Sequence, residues 1–146
     1  MKLKQISVFI ENAPGRLFEV TEALGEAGIN LRALNLVEGS DFGVLKLLVS
    51  DVPTARRILM QKQIPARVNE VVAVKIQDRP KSLATLLKPL LKASVFVEYM
   101  YAFTGFTENY AVMIFRFSDN DKAIKILKEQ GETLLDAEAF GMLESE

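Results

Sequence analysis

The sequence predicts an α+β protein made of two tandem copies of one β-α-β-β-α-β unit. Each copy is expected to form an antiparallel sheet with both helices on one face. Three observations carry this expectation. The run Ile6, Val8, Ile10 alternates with the period of a strand, and the following run Leu17, Val20, Leu24, Ala27 has the period of a helix. Between them lies Glu11-Asn12-Ala13-Pro14-Gly15-Arg16-Leu17, whose Pro-Gly pair marks a strand-to-helix turn. The whole pattern then returns. A shift of about 66 residues lays Val8 on Val74, Asn12 on Asp78, Pro14 on Pro80, Leu17 on Leu83, Leu24 on Leu90 and Ile29 on Val95. With two further residues inserted, Val44 falls on Val112, Ala55 on Ala123 and Leu59 on Leu127.

The elements follow in order. Lys4–Ile10 reads as a strand, and a helix runs from Gly15 or Arg16 to Ala27, with Gly28 at the position where helices stop. Asn30–Val37 and Phe42–Val49 are strands joined by Glu38-Gly39-Ser40-Asp41, a hairpin. Ser50 or Asp51 caps a second helix with Pro53 in its first turn and Ala55, Ile58 and Leu59 facing inward. Ile64-Pro65 ends it, and Ala66–Ile76 is one long extended run. The second copy reads as strand 71–76, helix 82–92, strand 95–103, strand 110–117, helix 119–130 and a short strand 133–137. Pro89 lies inside the third helix, where a kink or an early end is expected. The expected domains are 1–70 and 71–146, without a flexible linker, because 67–71 closes one copy and opens the next. The sheet face away from the helices is largely apolar and needs a partner, a second copy or a second chain.

Composition narrows the function. A chain of 146 residues with 49% apolar and 25% charged residues can bury a core. The net charge of −1, with 18 basic and 19 acidic residues interspersed, argues against a nucleic-acid surface. Cysteine and histidine are absent, which removes thiol chemistry, the commonest general base and the commonest nitrogen metal ligand. No catalytic residue, metal ligand or cofactor is assigned, and the chain is not expected to be an enzyme. No apolar run reaches the roughly 18 residues of a membrane span, and no signal segment is visible, so a cytoplasmic location without membrane contact is expected.

The turn is the candidate site. Amides of Gly15, Arg16 and Leu17 fall at the first, unpaired turn of a helix, which suits a carboxylate or phosphate. Gly15 allows close approach to the backbone, and Asn12 offers a donor and an acceptor beside it. A small zwitterion, an amino acid, fits that combination. Asn12 could equally cap the helix, and Arg16 either holds an anionic side chain or faces water. Tyr99, Tyr101 and Phe103 share a strand face with Val95 and Val97. They are expected to pack that face, with a tyrosine hydroxyl at a pocket edge as the sharper reading. Glu98, on the opposite face, is left between an exposed edge and a ligand ammonium.

These residues resemble the ACT domain, a small amino-acid-sensing regulatory module with a ferredoxin-like fold. The resemblance rests on Asn12-Ala13-Pro14-Gly15-Arg16-Leu17, the helix end Ala27-Gly28-Ile29-Asn30 and the hairpin that follows. Asp78-Arg79-Pro80-Lys81-Ser82-Leu83 repeats the pattern but has Lys81 in place of Gly15. It implies a regulatory protein that holds a free amino acid at a domain or subunit interface, in a homodimer, with a regulated enzyme as a further partner. It also implies a ligand set of Glu11, Asn12, Ala13, Pro14, Gly15, Arg16 and Leu17. A partner copy's Ile29 and Asn30 would close the pocket, with Asp78 as the second copy's counterpart of Asn12 and Tyr99 at the rim. Lys81 narrows the second turn and favours one pocket, on the first. Two other readings share the topology. An acylphosphatase-like hydrolase would use Arg16 and Asn12 on a phosphate. An RNA-binding module would use Tyr99, Tyr101 and Phe103, against which Glu98 and Glu108 carry the wrong charge.

Overall fold

The computed structural model describes residues 1–145, with the side chains of 103–106 outside the description. The chain divides into two compact units. The first is Lys4–Asn69 with the C-terminal segment from Ala137 onward, and the second is Glu70–Asp136 with Met1–Leu3.

The first unit holds β1 (Leu3–Glu11), α1 (Arg16–Glu26), β2 (Leu31–Val37), β3 (Phe42–Val49), α2 (Val52–Gln61) and the start of β4 (Ala66–Gln77). Its strand order is β2-β3-β1-β4. β3 pairs antiparallel with both β1 and β2, so Ile6, Val8 and Ile10 lie opposite Leu47, Leu45 and Gly43. The second unit holds the rest of β4, α3 (Ser82–Lys92), β5 (Val97–Thr107), β6 (Tyr110–Phe117), α4 (Asn120–Glu129) and β7 (Thr133–Leu135). β6 lies between β5 and β4, and β7 pairs with the other side of β4. This is the α+β class that the sequence predicts, antiparallel sheets with four helices.

Hydrophobic periodicity selects the buried stripes. Val20 and Leu24 of α1 and Ala55 and Leu59 of α2 are buried, as are their counterparts Leu86, Leu90, Ala123 and Leu127. In the second unit these four pack with Val72, Val74, Ile76, Met113, Phe115 and Phe117 in one cluster. Each Leu or Phe so buried contributes about 1.5–3 kcal/mol. The opposite sheet face is buried as well, at Gln5, Ser7, Leu48, Val71, Ala73, Val112 and Ile114. Its two polar side chains are satisfied: Gln5 Nε2 donates to Ser7 Oγ at 3.1 Å, and Ser7 Oγ donates to Asn69 Oδ1 at 2.8 Å.

The duplication is visible bond by bond. Asp51 and Asp119, both extended, accept from Thr54 N–H at 3.1 Å and Lys122 N–H at 3.0 Å and so cap α2 and α4. Ser50 Oγ accepts from Asn30 N–H at 2.8 Å, and Ser118 Oγ accepts from Phe96 N–H at 3.1 Å. Left-handed residues recur in register: Gly15 and Lys81, Gly28 and Ser94, Gln63 and Gly131. A register shift follows Leu31 in β2 and Val97 in β5.

That second shift corrects one expectation. Val95 and Val97 do not share a face with Tyr99 and Tyr101. Both valines pack on the helix-side cluster, whereas Tyr99 and Tyr101 lie opposite Arg116 and Ile114, outside that cluster. A bulge inserts one residue and so reverses the alternation beyond it. The expectation for Phe103 concerns a side chain outside the described residues. Pro89 does not end its helix early either, since α3 runs on to Lys92. Leu86 and Leu90, on either side of Pro89, are both buried and anchor that last turn. The sequence reading also gave no structure to the C-terminal segment. It forms a 3₁₀ turn (Glu138–Phe140) and docks on the first unit, with Phe140 and Met142 buried and Leu143 N–H donating to Ser50 O at 2.8 Å.

Candidate functional site

β1 and α1 are joined by a turn that is exposed from Glu11 to Glu19. Gly15 sits at its end with φ +85°, a conformation that glycine adopts without penalty, and no side chain caps α1. Among the described residues the N–H groups of Gly15, Leu17 and Phe18 meet no acceptor. Arg16 N–H reaches Ala13 O at a long 3.4 Å, and the first regular helical bond is Glu19 N–H to Gly15 O at 2.9 Å. The turn therefore presents bare main-chain donors at the positive end of a helix.

Asn12 does not cap that helix. Its Nδ2 donates to the hairpin carbonyls Gly39 O at 2.9 Å and Ser40 O at 3.2 Å, and its N–H donates to Asp41 O at 3.2 Å. It ties the β2–β3 hairpin to the turn. With both amide hydrogens spent, Oδ1 is left as an acceptor. Two carbonyls fix which end of the amide is nitrogen.

Between the turn and the hairpin lies a cavity of about 480 Å³ lined by Ile10, Glu11, Asn12, Ala13, Leu17, Leu36, Val37, Glu38 and Gly43. Sequence reasoning missed Leu36, Val37, Glu38 and Gly43. The signal was available for the last, because the repeat sets Gly43 against Ala111, with Ile10 and Ile76 as their respective strand partners. Of the lining residues, Leu17, Leu36 and Val37 expose 40–51% of their surface. β2 is the edge of its sheet.

Arg16 turns elsewhere. Its guanidinium contacts Glu19 at 2.9 Å and Glu11 at 3.8 Å, and both acids hold it charged above its ordinary range, Glu19 foremost. It lines a separate cavity of about 380 Å³ with Glu19, Glu22, Glu26 and Lys62. The matching cavity of the second unit, about 530 Å³, is lined by Lys75, Arg79, Lys81, Ser82 and Thr85. The two copies have thus diverged from acidic to basic at one place in the fold.

Of the remaining predicted residues, Pro14 shapes the turn, and Ile29 and Asn30 lie at the far end of α1. Eleven residues of helix, about 16 Å, separate them from the turn within the unit. Ile29 is buried, and Asn30 holds Ser50 through its backbone. Asp78 and Tyr99 belong to the second unit. Asp78 N–H bonds Asn109 O at 2.9 Å as Asn12 bonds Asp41, but its carboxylate cannot donate to a hairpin carbonyl. Glu98 pairs with Arg116 at 3.3 Å. Tyr101 is buried, which withdraws it from any aromatic platform for RNA, and burial pushes its phenol well above the usual range. Among the described residues no three acids gather as a metal site, and no helix is long and apolar enough to cross a membrane.

Two βαββαβ units in tandem, the first with a cavity between its strand–helix turn and its hairpin, define a class of paired ferredoxin-like modules. The chain belongs to the ACT domain pair family, whose model matches residues 1–141. It is 40% identical to a Bacteroides thetaiotaomicron protein of known crystal structure, with 98% of each chain covered and a TM-score of 0.92. It shares its fold with the ligand-free regulatory subunit of aspartate kinase from Thermus thermophilus, at 18% identity, 86% and 90% coverage and a TM-score of 0.60. The Thermus flavus regulatory subunit compares similarly, at 17% identity, 88% and 92% coverage and a TM-score of 0.58. No curated protein matches it.

Proposed function

We propose that this chain is a ligand-binding regulatory protein without chemistry of its own, and that it takes a free α-amino acid at the first turn. The observation that carries the reading is the left-handed Gly15 turn, which leaves the N–H groups of Gly15, Leu17 and Phe18 open at a helix start. Those donors suit a carboxylate. Asn12 Oδ1 and the Glu38 carboxylate, which has no cationic partner among the described residues, suit an ammonium. Glu11, Ala13 and Pro14 complete the frame. In the second unit Lys81 and Ala111 replace the two glycines, which favours a single pocket on the first.

The exposed apolar side chains Leu17, Leu36 and Val37 of the cavity support closure by a second copy of the chain, which would supply its exposed Asn30, whereas Ile29 stays buried in its own unit. A homodimer of this kind could pass its ligand state to a partner enzyme, provided that the ligand favours one arrangement of the copies. That two proteins of the same fold are regulatory subunits agrees with this role. The acylphosphatase-like alternative loses support, since Arg16 is engaged by two acids and the amide hydrogens of Asn12 by two carbonyls.

The test is a thermal-shift screen of the full chain against the twenty amino acids. A ligand at a hundredfold excess over its Kd adds about 2.7 kcal/mol and raises the midpoint. Gly15→Val should abolish the shift. Silence from all twenty at millimolar concentration would sink the reading.

A further inference from the structure

We propose that the cavity beside the first turn seats the side chain of a neutral, apolar amino acid, and that Gly43 sets how large that side chain can be. This rests on the reading of the turn as an amino-acid site and adds the ligand class and the residue that selects it.

The walls are carbon: Ile10, Ala13, Leu17, Leu36 and Val37. An apolar side chain gains by leaving water against such a surface; a cationic one loses its hydration there, with Glu11 already paired to Arg16 at 3.8 Å and Glu38 engaged by the ligand's own ammonium. Glu38 and Asn12 line the same cavity and suit the ligand's ammonium. An acidic side chain would meet Glu38 as a like charge.

Gly43 forms the floor, opposite Ile10 in the sheet. Its backbone is ordinary strand without a positive φ, so the absence of a side chain serves space rather than conformation. A Cβ placed there would lie 3.2 Å from Val37 O, 3.5 Å from Leu36 Cδ1 and 3.8 Å from Asn12 Oδ1, among the atoms that line the cavity. The second unit carries such a methyl at the same register, where Ala111 lies opposite Ile76. A strand of this fold thus carries a methyl at that register in the second unit; at Gly43 it requires Val37 O to give by a few tenths of an ångström, and the space it takes is the cavity's.

The experiment is calorimetric titration of the full chain with L-alanine, L-leucine, L-lysine and L-glutamate. Leucine is expected to bind, with lysine and glutamate at least about tenfold weaker. Gly43→Ala should weaken leucine by about tenfold or more and leave alanine within about twofold. Leu36→Asn, at a half-exposed position on the edge strand, should weaken leucine and spare alanine, so the test survives a poorly folded Gly43→Ala. Tightest binding by lysine or glutamate, or variants that weaken every ligand equally, would overturn the ligand class while leaving the turn as the site. Absence of binding by all four, or leucine binding undiminished in Gly15→Val, would overturn the amino-acid reading itself.

Discussion

Lys81 holds the conformation that glycine supplies at the matching turn, φ +71° against +85° at Gly15. The sequence suggested that a side chain would narrow this turn. The fold instead imposes the same backbone at a cost of about 1–2 kcal/mol for an L-residue in the left-handed region. Lys81→Gly removes that strain but adds the backbone entropy of glycine, about 0.5–1 kcal/mol. The expected net gain is about 0.5–1 kcal/mol in denaturant unfolding. Tyr101 gives a pH prediction. Burial raises its folded pKa above the ordinary 10.0, so its contribution is complete below pH 10 and is lost as pH rises beyond that value. Stability should therefore fall more steeply above pH 10 in the native chain than in Tyr101→Phe, as read from urea midpoints across an alkaline series.

Helix starts separate the two kinds of turn in this fold. α2 and α4 are capped by Asp51 and Asp119, whose carboxylates each accept from one first-turn amide, Thr54 N–H and Lys122 N–H, and Asp51→Ala or Asp119→Ala should each cost about 1 kcal/mol. α1 and α3 have no such cap, so their amides stay available. The first cap was legible in Ser50-Asp51, because capping is decided within four residues of sequence, whereas helical spacing places Asp119 inside its helix and the structure makes it the cap. The bulges of β2 and β5 were not legible. Alternation predicts faces only while the register holds, and nothing in the residues 97–99 announces the extra one. Pro89 shows the same limit, since the buried Leu86 and Leu90 on either side of it outweigh its local preference to stop the helix.

At the scale of the molecule, the chain is one folded pattern used twice, but its ends serve the units that they do not adjoin in sequence. The C-terminal segment docks on the first unit through the Ser50–Leu143 and Leu143–Val52 backbone bonds, both 2.8 Å, and through buried Phe140 and Met142. Phe140→Ala should cost about 3–5 kcal/mol. Hydrogen exchange should report the loss in 4–69 rather than in 70–136. The sequence by itself determined the class of fold, the duplication, the cap of the second helix and the turn at Pro14-Gly15, because each is written in spacings of two to four residues or in a shift of about 66. Only the tertiary structure decided that Asn12 clamps a hairpin and that Gly43 opens a cavity beside Asn12. Those outcomes depend on which side chains strand pairing brings within 3–4 Å of one another, and residues some 27 to 31 positions apart in the chain carry no local mark of being neighbours.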